Sequence, residues 1–134
     1  MNNKIDKILY LLEDAVAHKT WLKAEEYVDS SKLKGRKVVD ARILASVDGS
    51  SGNYEVEINL NKPDTSTCTC PAEMKFCKHI VALALTYKQA EKTFITKDTL
   101  LNTLKKMEKD ELIEIFEGLL TERPQSFDLI RKKL

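Results

Sequence analysis

Net charge is nearly absent from this chain, with 22 basic and 21 acidic residues over 134 positions. A balance that close exerts no global pull on nucleic acid or an anionic membrane. Long apolar runs are missing as well. The longest uninterrupted one, Ile80–Leu85, falls far short of the roughly 20 residues that cross a bilayer. The opening "MNNKIDKILYLLEDAV" has neither a continuous apolar stretch nor a small-residue cleavage site, so no secretion signal is expected. Cysteine is scarce and odd in number, three in all. Three thiols cannot all pair, which argues against a disulfide framework and for a reducing, intracellular, cytoplasmic setting. No G-x-x-x-x-G-K-[ST] loop is present to cradle phosphates. The H-x-E and P-C-x-x-C strings of zinc deaminases are absent too.

What remains reads as an ordinary soluble protein, large enough for one modest core. Ile5, Ile8, Leu9, Leu12 and Val16 recur at helical spacing. Thr20 is placed to cap a second helix carrying Trp21, Ala24 and Val28. "DSSKLKG", residues 29–35, breaks the pattern. In "KVVDARILASV", Val39, Ala41, Ile43, Ala45 and Val47 alternate with polar or outward residues, the signature of a half-buried strand. "DGSSGN", residues 48–53, is turn chemistry, and "YEVEINL" resumes the alternation with Tyr54, Val56, Ile58 and Leu60. Glu55 and Glu57 fall on the opposite, solvent-facing side.

Beyond residue 79 the period becomes helical. Ile80, Leu83, Ala84 and Tyr87 mark one face, Val81 and Leu85 another. Such a helix must be covered on two sides. The hairpin can cover one, and flanking helices the other. Three more helices are expected, around Leu100–Met107, Leu112–Leu119 and Phe127–Leu134, with Pro124 separating the last two. The expected fold is therefore α+β: a β-hairpin and helix packed with N- and C-terminal helices. Its segments are 1–29, 30–92 and 93–134.

The three cysteines and one of the two histidines fall within "CTCPAEMKFCKH", residues 68–79. In an extended strand Cys68 and Cys70 point to the same side, and Pro71 then ends the strand. Cys77 should lie just outside the first turn of the following helix and His79 inside it, where the helix dipole favours thiolate. Three thiolates and one imidazole make the closed tetrahedral shell of structural zinc, and soft sulfur disfavours magnesium or calcium. Incidental burial of cysteine does not account for mirrored C-x-C and C-x-H pairs. A Cys77–His79 nucleophile would need an orienting third group and an open pocket, and nothing nearby supplies them. His18 reads as a polar helix-end residue, and Trp21 and Tyr27 as core aromatics.

C-T-C, six residues and C-K-H-I, opening an apolar helix after an alternating strand, resembles the SWIM zinc finger. The likeness covers roughly residues 30–92. It implies one zinc ion on Cys68, Cys70, Cys77 and His79, on a β-β-α scaffold. It also implies a role in binding partner proteins or DNA, as in recombinational repair proteins, transposases and remodeller-like ATPases. No ATPase or nuclease machinery is visible, so the expectation is a stand-alone, non-enzymatic adaptor with a protein partner, no membrane and no small-molecule substrate. The alternative is direct DNA binding. Residues 30–92 carry ten basic and seven acidic side chains. Lys32, Lys34, Arg36 and Lys37 approach the hairpin, and Lys75 and Lys78 flank the ligands. Those six are the candidate phosphate contacts.

Overall fold

A computed structural model describes residues 3–28, 30–49 and 51–134. Asp29 and Ser50, assigned to a break and a turn from the sequence, lie outside the described residues. The chain forms two compact units, 1–97 and 98–134.

The first unit opens with helices α1 (Asn3–Ala15) and α2 (His18–Val28). α1 buries Ile5, Ile8 and Leu12, as its spacing predicts, and α2 buries Ala24 and Tyr27. α2 starts at His18, so Thr20 sits within the helix and is not its cap. Strands β1 (Leu33–Val39), β2 (Arg42–Gly49) and β3 (Gly52–Asn59) follow, then the two-residue β4 (Thr67–Cys68). Helix α3 (Lys78–Gln89) and the two-residue β5 (Ile95–Thr96) complete the unit. The sheet order is β4-β3-β2-β1-β5, antiparallel except for the β1–β5 pair.

The single strand expected over residues 37–47 is in fact two. The chain reverses at Asp40–Ala41, where Asp40 takes φ +56°, and Val39 pairs with Arg42. Asp40 is one of the few non-glycine types that tolerate this region. Reversal also changes which residues share a face. Val38 lies opposite Ile43 and packs on the core, whereas Val39 and Ala41 do not. A register shift between Lys34 and Lys37 places Gly35, at φ +61°, in a bulge.

α3 is the centre of the core. Ile80, Val81, Leu83, Ala84 and Tyr87 are all buried. α1 and α2 pack on it from one side, and β2, β3 and β4 from the other. This two-sided cover is what its nearly all-apolar circumference requires. The inner sheet face adds Leu33, Ile43, Ala45, Val47, Val56 and Ile58.

The second unit holds most of α4 (Lys97–Lys105), with α5 (Lys109–Glu122) and α6 (Ser126–Arg131). α5 starts with a reciprocal cap, in which the Glu108 backbone N–H donates to Glu111 Oε1 at 2.9 Å. Pro124 falls between α5 and α6, as expected. None of the three helices buries a side chain among the described residues.

Candidate metal centre

The end of β4 and the start of α3 bring four ligand side chains together. Cys68 closes β4, and Cys70 follows in a bend after the strand has ended. Cys77 precedes α3 with extended backbone, φ −79° and ψ 171°, and His79 lies in the first turn. The backbone N–H groups of Ile80 and Val81 both donate to the Cys77 carbonyl, which fixes that junction.

The ligand atoms of Cys68, Cys70, Cys77 and His79 all lie within 4.8 Å of one another. His79 turns Nδ1 toward the sulfurs, 3.6 Å from Cys68 Sγ and 3.9 Å from Cys77 Sγ. Zinc bonds of about 2.3 Å to sulfur and about 2.0 Å to nitrogen give a tetrahedral S···N edge of about 3.5 Å. The donor set and spacing therefore fit one zinc ion, bound to the histidine through Nδ1. Cys77 and His79 are each 3% exposed. Cys68 and Cys70 are half-buried, and three sulfurs this close cannot all be thiolates without a cation to offset their repulsion. Cys77 is pushed well down by its hydrogen bond with Cys68, while Cys68 is pushed up by that same bond and by burial. A bound dication removes the competition by stabilising every sulfur as thiolate.

The ring of His79 is held by two tyrosines. Tyr27 of α2 meets it edge-on, with centroids 5.3 Å apart and planes at 88°. Tyr54 of β3 lies against it at 5.3 Å and 37°. His79 Nε2 is buried and has no hydrogen-bond partner among the described residues. Ring orientation thus rests on aromatic packing, without the carboxylate or carbonyl that usually fixes a ligating histidine. Tyr54 in turn needs Gly49. A Cβ at position 49 would stand 2.5 Å from its ring. From the sequence, Tyr27 reads only as a core aromatic and Tyr54 only as part of a strand face. Neither lies near the ligands in sequence, and only the strand pairing and the α2–α3 packing bring them there.

Residues 54–88 match the family model of the SWIM zinc finger. This segment is a SWIM zinc finger. All four clustered residues fall inside the match. Neither the curated proteins nor the solved structures gave a match to the chain. The SWIM segment begins at Tyr54 and ends within α3, so it takes in the sheet edge, the ligands and the central helix. A cavity of about 190 Å³ adjoins the metal cluster, lined by Thr20, Lys23, Cys70, Met74, Lys78 and His79 among others.

The six basic residues singled out from the sequence are not one surface of free charges. Lys34 pairs with Asp48 at 2.7 Å and Lys75 with Asp64 at 3.4 Å. Arg36 folds back, donating to the Leu33 carbonyl at 2.9 Å and to Thr93 Oγ1 at 2.8 Å. Lys37 donates to the Gly35 carbonyl at 3.5 Å. Lys32 and Lys78 both lie over the Tyr27 ring, at 5.1 and 5.7 Å from its centroid. Among the described residues neither is in a salt bridge. His18 begins α2 and stays outside the cluster. No helix among the described residues is long and apolar enough to cross a membrane.

Proposed function

We propose that the chain is a non-enzymatic adaptor. Zinc fixes the SWIM finger, and the helices of 98–134 bind a protein partner. One observation carries this reading. Leu100, Leu101, Ile113, Ile115, Phe116, Leu119, Phe127 and Leu129 are all exposed on those helices. Soluble proteins seldom leave this many large apolar side chains exposed on one short helical unit unless they meet a partner. Four protein ligands complete the tetrahedron of a structural zinc and leave no position for a substrate or an activated water. That supports a non-catalytic role. The resemblance to SWIM proteins supports a setting in a recombination, repair or remodelling assembly.

Direct DNA binding is the second reading, favoured by Lys32 and Lys78, which are in no salt bridge among the described residues. The discriminating experiment is a pull-down from native lysate after nuclease treatment, read by mass spectrometry. Wild type is compared with Phe116→Asp and with Lys32→Glu/Lys78→Glu. The adaptor reading expects a captured protein that Phe116→Asp loses and the lysine reversal keeps. Capture that ends with nuclease, or with the lysine reversal alone, moves the function to DNA. Capture indifferent to Phe116 removes the adaptor reading of this face.

A further inference from the structure

Residues 98–134 pose a stability problem that the side chains of this unit do not answer by themselves. A unit of fewer than about 40 residues usually needs a disulfide, a metal or an oligomer to hold it. All three cysteines lie at positions 68–77 and both histidines at 18 and 79. The first two routes are therefore closed to this unit by composition. None of its helices buries a side chain among the described residues. Eight large apolar side chains expose about half of themselves there. Together they offer on the order of several hundred Å², approaching the roughly 800 Å² that one partner brings to a standard interface.

Charge along the unit indicates what covers it. Residues 108–122 hold six acidic side chains, Glu108, Asp110, Glu111, Glu114, Glu117 and Glu122, against Lys109. Residues 123–133 hold Arg123, Arg131, Lys132 and Lys133 against Asp128. An acidic helix followed by a basic stretch is self-complementary. In a two-fold pair, each patch meets the opposite patch of the other copy, and both contacts form at once. A strongly acidic or strongly basic partner would meet repulsion from one half of the unit.

We infer that the apolar face of 98–134 is closed by a second copy of the same chain, giving a two-fold dimer that carries two SWIM fingers. This rests on the reading of 98–134 as an interaction surface and names its occupant. The test is sedimentation equilibrium of the full-length, zinc-loaded chain over a wide concentration range. A dimer is expected, and Phe116→Asp should weaken it at least tenfold. Because Phe116→Asp can also unfold these helices, charge swaps give a second arm. Glu114→Lys/Glu117→Lys/Glu122→Lys, which turns residues 108–122 net basic, and Arg131→Glu/Lys132→Glu/Lys133→Glu, which turns 123–133 net acidic, should each sediment alone as monomers. Mixed in equal amounts, they should associate, since both contacts are then complementary. A monomeric wild type overturns the inference. So does a dimer untouched by Phe116→Asp, or a mixture that stays monomeric. A monomer that still captures a protein through Phe116 removes the second copy as occupant and leaves the adaptor reading standing.

Discussion

Residues 1–97 and 98–134 are both helix-bearing and both rich in Leu and Ile, yet they treat apolar side chains in opposite ways. The first unit surrounds α3 with two helices and a sheet, and ties β4 to α3 with the metal ligands. The second buries no side chain of α4, α5 or α6 among the described residues. The first is organised around its metal ligands; the second leaves its large apolar side chains exposed. Trp21, Tyr10, Tyr27, Tyr54 and Tyr87 all lie in 1–97. Tryptophan and tyrosine signals therefore report on that unit alone, which makes the contrast measurable.

The largest effect is expected at the metal. Cys77→Ser keeps the size of the side chain and loses the thiolate. Structural zinc contributes on the order of 10–16 kcal/mol of apparent binding energy in small fingers. A domain is stable by only about 5–15 kcal/mol. The variant should lose zinc and the near-UV circular dichroism of 1–97. A variant that keeps both would show that the ion is not what joins β4 to α3. Next comes Leu83→Ala, at a side chain with 0% exposure in the middle of α3. It should cost about 2–5 kcal/mol in denaturant unfolding followed by Trp21 fluorescence. A loss well under 1 kcal/mol would mean that α3 is not packed from both sides.

Much of this division was legible from residues. The C-x-C and C-x-H pairs announced the ligands, because rare side chains at mirrored spacing have few other uses. The unbroken apolar circumference of Ile80–Tyr87 announced a helix covered on two sides. The reversal at Asp40–Ala41 was hidden because its turn dipeptide contains no glycine, and alternation runs through it unbroken. β4 and β5 have two residues each, too few for any period. The aromatic clamp on His79 was hidden for another reason: it depends on residues brought together by tertiary packing. The exposure of the apolar side chains in 98–134 was not legible either, since helical spacing shows which side is apolar and not what it meets.

The clamp supplies a smaller test. Gly49→Ala pushes a Cβ into the Tyr54 ring and should cost about 1–3 kcal/mol by overpacking. Adding Tyr54→Ala should cost less than the two single changes summed, because the clash is then gone. Additive losses would show that Gly49 acts without Tyr54. The smallest effect belongs to the outward unit. Phe116→Ser should shift the Trp21 transition of 1–97 by no more than about 0.5 kcal/mol, because Phe116 is not part of that unit's core. A shift comparable to that of Leu83→Ala would erase the distinction between the two units.

Zinc is the element expected to organise 1–97. Metal-free protein should be titrated with zinc while the near-UV dichroism of Trp21, Tyr27 and Tyr54 is followed. The predicted result is a weak, unstructured signal that rises to the native spectrum and saturates at one equivalent. A native spectrum before any zinc is added, or a rise that does not end at one equivalent, would contradict it.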